Sequence, residues 1–130
     1  MENSICLDTD FLVDFLRNKS EAVDWMKEKK DTSELATTII NIFELYYGAF
    51  KQSSEKELES IEILKKNLKI LEFDLVSAKN AAKTKAFLEE EGNMLEFRDI
   101  LIGSISLSNG FSMKTNNKKH FERIRGLRLI

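Results

Sequence analysis

Proline is absent from all 130 residues, against about 5% in average proteins. Without proline, a Gly/Ser-rich stretch or a repeat, nothing marks a linker, and residues 1–130 are expected to form a single domain. The one cysteine, Cys6, excludes a disulfide framework and a cysteine-based zinc site, and it fits a reducing cytoplasm. The one histidine, His120, excludes a multi-histidine metal centre. No run of ~18 apolar residues exists, so no membrane-spanning helix is expected. The start, MENSICLDTD, is acidic and bounded by aspartates, unlike a signal peptide. Any metal bound here must therefore be held by carboxylates.

What is present is a globular composition, 42% apolar and 32% charged, with a net charge of −2. The mean hides an asymmetry. Six cations crowd the C-terminal segment (Lys114, Lys118, Lys119, Arg123, Arg125 and Arg128), with Glu122 the one acid among them. A basic end on an acidic body points to an anionic partner.

Hydrophobic periodicity alternates strands with helices along the whole chain. Ser4 to Leu7 reads as a buried strand, and Phe11, Leu12, Phe15 and Leu16 as a helix capped by Asp8 or Thr9. A helix over about Ser20 to Lys29 and a strand over Leu35 to Thr38 follow. The next helix carries Ile40, Phe43, Tyr47 and Phe50 on one stripe, read as core or dimer surface. A charged helix over Ser54 to Asn67, a strand over Leu68 to Phe73 and a helix over 75–91, stopped by Gly92, come next. An apolar helix from Asp99 ends at Asn109-Gly110. Strands over Phe111 to Thr115 and Leu127 to Ile130 complete an α/β fold with a mostly parallel sheet of four to five strands. Ligands of such sheets bind beyond the carboxyl ends of the strands.

Three acids fall near that edge. Asp8 follows Ile5-Cys6-Leu7, Glu44 interrupts an apolar helix, and Asp99 stands directly before another. Singly, Asp8 and Asp99 are explained as helix N-caps and Glu44 as the wet side of its helix. Together, three carboxylates with no matching basic residue would repel unless a hard cation lay between them. Mg²⁺ or Mn²⁺ suits such an all-oxygen site.

The pieces Leu7-Asp8-Thr9-Asp10-Phe11-Leu12, Glu44-Leu-Tyr-Tyr-Gly-Ala49, Asp99-Ile-Leu-Ile102 and Thr115-Asn-Asn117 with His120-Phe-Glu-Arg123-Ile124 resemble, in order and spacing, a PIN-domain protein. The resemblance is to the VapC-type toxins of toxin–antitoxin pairs. It implies a three-layer sandwich and an endoribonuclease dependent on Mg²⁺ or Mn²⁺, cleaving RNA with a metal-activated water. It also implies a cognate VapB-type antitoxin and a homodimer. Asp8, Glu44 and Asp99 match the family's regular acidic positions, Thr115 a supporting hydroxyl, and Asn117 stands where a fourth acid is common. Asp10 is an outer-shell candidate, and Lys118, Lys119, His120 and Arg123 are candidates for contact with RNA.

Two other classes compete. A phosphoacceptor receiver domain would use Asp74, after the third strand, although the simpler role of Asp74 is a helix N-cap. A PIN-like domain without chemistry would only bind RNA or protein, and Asn117 is the one residue in its favour.

Overall fold

The computed structural model describes residues 3–130. Four strands, β1 (Ser4–Leu7), β2 (Glu34–Thr38), β3 (Lys69–Leu71) and β4 (Ser112–Lys114), form one parallel sheet in the order β3-β2-β1-β4. Ile5 is the hinge of the register, lying opposite Leu35 on one side and Ser112 on the other. Every residue of β1 is buried, as the centre of a sheet covered on both faces requires.

Strand alternation sorts the core into two layers. Ile5, Leu7 and Leu35 face one cluster with Phe11, Leu12, Ile42, Leu45, Ile61 and Leu64. These come from α1 (Thr9–Leu16), α3 (Ile39–Lys51) and α4 (Glu55–Lys66), and α2 (Ser20–Lys29) adds Ala22. Cys6 and Ala36 face the opposite cluster, with Leu88, Ile100, Ile102, Ile105 and Phe121. That side is built by α5 (Leu75–Glu90), α6 (Phe97–Ser108) and α7 (Lys118–Phe121). The result is the expected three-layer α/β sandwich. Burial pushes the Cys6 thiol up to about 12, so it acts as a small core hydrophobe.

Local signals explain where elements stop. Gly92 and Gly110 adopt φ of +67° and +74° directly after α5 and α6, the left-handed closure that glycine tolerates. Gly103 serves packing instead, because a Cβ there would collide with Ile124 of the C-terminal segment.

Two expectations need correction and a third is narrowed. The strand expected over Leu127 to Ile130 is a single parallel bridge from Leu129 to Met113. Met113 alone turns its N–H and C=O outward, to Arg128 O (2.8 Å) and Ile130 N (3.0 Å), while Lys114 O is taken by Asp8 N. Of the two readings of the α3 stripe, core holds only for Ile40, which packs against the second cluster, whereas Phe43, Tyr47 and Phe50 are 65%, 58% and 64% exposed and form a surface. Ile42, Leu45 and Ala49, offset on the same helix, fill the interior instead. Finally, Asp99 is no N-cap. The cap of α6 is Glu96, and Asp99 lies in the first turn with its side chain turned inward.

Candidate active site

The carboxyl edge of the sheet gathers the acids. Asp8 leaves β1 and caps α1, accepting from Thr9 N at 2.9 Å through Oδ1. The same oxygen accepts from Asn41 Nδ2 at 3.1 Å, and Oδ2 accepts from Thr115 Oγ1 at 2.7 Å. Three donors do not offset the loss of water. Burial pushes the Asp8 carboxyl up to about 6; Thr115 opposes this, and the negative charges of Asp10 and Asp99 reinforce it.

Asp10 and Glu44 are also held above the usual carboxylate range, chiefly by burial. The Asp99 charge reaches both of them, so the four acids form one electrostatic unit. Asp10 Oδ1 accepts from Asn116 N at 3.2 Å, which ties α1 to the loop after β4.

Asn41 was not singled out by sequence, although the spacing Thr38-Ile-Ile-Asn41 carried a signal. Thr38 and Asn41 form a reciprocal capping box at the start of α3. The fully buried Asn41 amide then donates from Nδ2 to Asp8 and to Thr9 Oγ1 (2.9 Å). Thr9 Oγ1 in turn donates a hydrogen bond to Glu44 Oε1 at 2.5 Å. A continuous relay therefore links the first two acids, and Asn41 precedes Glu44 by one helical turn on the same face.

The expectation that no basic residue matches the acids is corrected here. Arg98 Nε pairs with Glu44 Oε2 at 2.9 Å, and Nη2 of the same guanidinium reaches Glu96 at 2.8 Å. His120, a candidate for contact with RNA, turns Nδ1 to Asp99 Oδ2 at 3.2 Å while its side chain stays 38% exposed. The Asn117 amide meets that same nitrogen at 2.8 Å, while Asn117 N donates to Thr115 Oγ1 at 3.0 Å. One ring nitrogen cannot give its proton to Asp99 and also accept one from Asn117, so the tautomer selects between them.

With Glu44 and Asp99 so engaged, no three His, Cys, Asp or Glu side chains among the described residues close around one point. The donor chemistry nevertheless fits a hard divalent cation. The interior acids have only oxygen to offer, and the burial and like charge that raise Asp8, Asp10 and Glu44 are what a bound cation would offset.

The basic segment divides. Lys118 and Lys119 are exposed on α7, and no ion pair engages them among the described residues. Arg123 is committed to the protein, donating to Met94 O at 2.6 Å, and Arg125 lies over the Phe87 ring at 4.0 Å. Asp74 caps α5 through Ser77 N at 2.9 Å, as the simpler reading expected.

Comparison with known proteins bears on this geometry. The PIN domain family model matches residues 5–127. The tRNA(fMet)-specific endonuclease VapC of Salmonella typhimurium is 31% identical over 124 residues, 95% of this chain and 93% of that one. Ribonuclease VapC2 of Haemophilus influenzae is 28% identical over 94% of this chain and 92% of its own. Among solved structures, DNA-bound VapBC from Salmonella typhimurium superposes with a TM-score of 0.89 at 27% identity, covering 100% of this chain and 98% of that one. VapBC2 from Rickettsia felis, bound to a promoter DNA fragment, gives 0.91 at 24% identity over 98% and 97%, a likeness of fold. The chain belongs to the PIN-domain family and, within it, to the VapC-type nuclease toxins of toxin–antitoxin pairs.

Proposed function

We propose that this chain is a divalent-metal-dependent endoribonuclease, the toxin of a VapBC-type pair acting in the cytoplasm. The observation that carries the reading is the convergence of Asp8, Asp10, Glu44 and Asp99 on one sheet edge, with buried Asp8 raised to about 6. Asp8 and Asp99 would hold Mg²⁺ or Mn²⁺, with Glu44 as the third ligand and Asp10 behind them. When bound, the cation supplies a Lewis acid that activates water and offsets charge on the phosphodiester.

The chain's own groups do the rest. Thr115 and Asn41 fix the Asp8 carboxylate by hydrogen bonds at 2.7 and 3.1 Å, so its oxygens need no reorientation. Thr9 holds Glu44 from the other side. Lys118 and Lys119, exposed just beyond Thr115, bind phosphates flanking the scissile bond, and His120 sits between them and Asp99. Asn117 contributes no charge, which supports one tightly held cation over two.

Two partners complete the reading. A VapB-type antitoxin would silence the site, since the relatives' complexes are named as VapBC. A second copy would cover the exposed α3 face, where Phe43 stacks on Tyr47 with ring centroids 6.3 Å apart.

Cleavage of pooled RNA with Mn²⁺, with and without EDTA, tests the activity. Loss of cleavage in EDTA and in Asp99→Asn is expected; cleavage that persists in EDTA overturns the metal reading. Expression of the active protein alone should slow host growth, and co-expression of the neighbouring antitoxin should relieve it.

A further inference from the structure

Among the described residues, Arg98 is the one permanently charged cation that reaches a candidate metal ligand directly. We propose that Arg98 competes with the divalent cation: by pairing with Glu44 it holds the third carboxylate off and lowers the metal affinity of the centre. The proposal rests on the metal-centre reading above.

Both Glu44 oxygens are engaged, Oε1 by Thr9 and Oε2 by Arg98. Each oxygen keeps a second lone pair, but a cation drawing on Oε2 meets the Arg98 charge beside it and must displace the guanidinium or share the oxygen with it. The Thr9 contact is backed by the Asn41 relay, whereas Arg98 is 52% exposed and free to leave toward water. Glu96 steadies it by holding Nη2 at 2.8 Å, so the guanidinium bridges an exposed acid and an interior one. A structural role is a poor account of this pair, because partly exposed ion pairs add little stability. Its effect on Glu44 is direct, since the Arg98 charge favours the ionised carboxylate and partly satisfies it. The pair is thus a stand-in for the ion, supplied by the residue next to Asp99.

Calorimetric Mn²⁺ titration of the full chain in four forms tests this: the unaltered protein, Arg98→Gln, Glu44→Gln and the double variant. Arg98→Gln should bind Mn²⁺ about threefold to tenfold more tightly, the size expected for removing one charge-assisted contact. In the Glu44→Gln background the same change should give no gain, because the competition acts through Glu44. Metal-free melting curves confirm that each form is folded.

An unchanged affinity in Arg98→Gln overturns the proposal and spares the metal centre. An equal gain with and without Glu44 also overturns it, showing only a general charge effect. Absence of Mn²⁺ binding in the unaltered protein removes the metal centre itself and the proposal with it.

Discussion

Thr115 donates its hydroxyl to Asp8 Oδ2 at 2.7 Å, joining residues 107 apart in sequence at the ends of adjacent parallel strands. This contact is the strongest opposing force to the burial that raises Asp8, so it sets how readily the acid ionises. Thr115→Val should lift the Asp8 titration further above 6 and weaken Mn²⁺ binding at neutral pH. Thr115→Ser, keeping the hydroxyl, should restore both. Direct titration of the Asp8 carboxyl by NMR checks the order.

Asp8 also makes metal-free stability depend on pH. Its proton affinity is higher folded than unfolded, where an aspartate titrates near 4. The contribution is therefore full below about pH 4 and is lost as pH rises through about 6. Asp8→Asn removes that loss and should raise metal-free stability at pH 7 by up to about 3 kcal/mol. The advantage should vanish near pH 4, which denaturant melts at the two pH values compare. The same variant should have no divalent-dependent cleavage.

Asn41 is a structural support with a catalytic consequence. Asn41→Ala removes the acceptor of the buried Thr38 hydroxyl and withdraws donors from buried Asp8 and half-buried Thr9. A cost of about 2–3 kcal/mol in stability is expected. Cleavage should fall as well, because Glu44 loses the relay that orients it. Urea denaturation and RNA cleavage on the same sample separate the two effects.

The basic segment should act through two residues more than through six. Lys118→Gln with Lys119→Gln should flatten the dependence of log K on log salt for single-stranded RNA by about 1.4 if each meets one phosphate. Arg123→Gln should instead lower stability, since its guanidinium is spent on Met94 O. An RNA-binding titration at several salt concentrations distinguishes them.

Much of this was legible in the sequence, for identifiable reasons. Strand and helix periods differ, so the alternation and the parallel sheet could be read from Ile5-Cys6-Leu7 and its successors. The acids were visible because Asp8 and Glu44 break apolar runs. Arg98 was not, because its partner lies on another helix and the pairing depends on how α3 and α6 pack. The contact between His120 and Asp99 was hidden for the same reason. The α3 stripe stayed open between core and surface because that helix is apolar on most of its circumference, and period alone does not say which face turns inward. Asp99 was misplaced because α6 begins two residues earlier, with Phe97 and Arg98, which are exposed and lie outside the buried run that starts at Asp99.

The central claim is that the acids at the sheet edge hold one divalent cation. Anomalous scattering from crystals grown with Mn²⁺ tests it most directly. The account predicts one strong peak within coordination distance of Asp8 and Asp99, with Glu44 drawn away from Arg98 toward it. A peak elsewhere on the molecule, or none at this edge while Glu44 stays on Arg98 and Asp99 on His120, would contradict it.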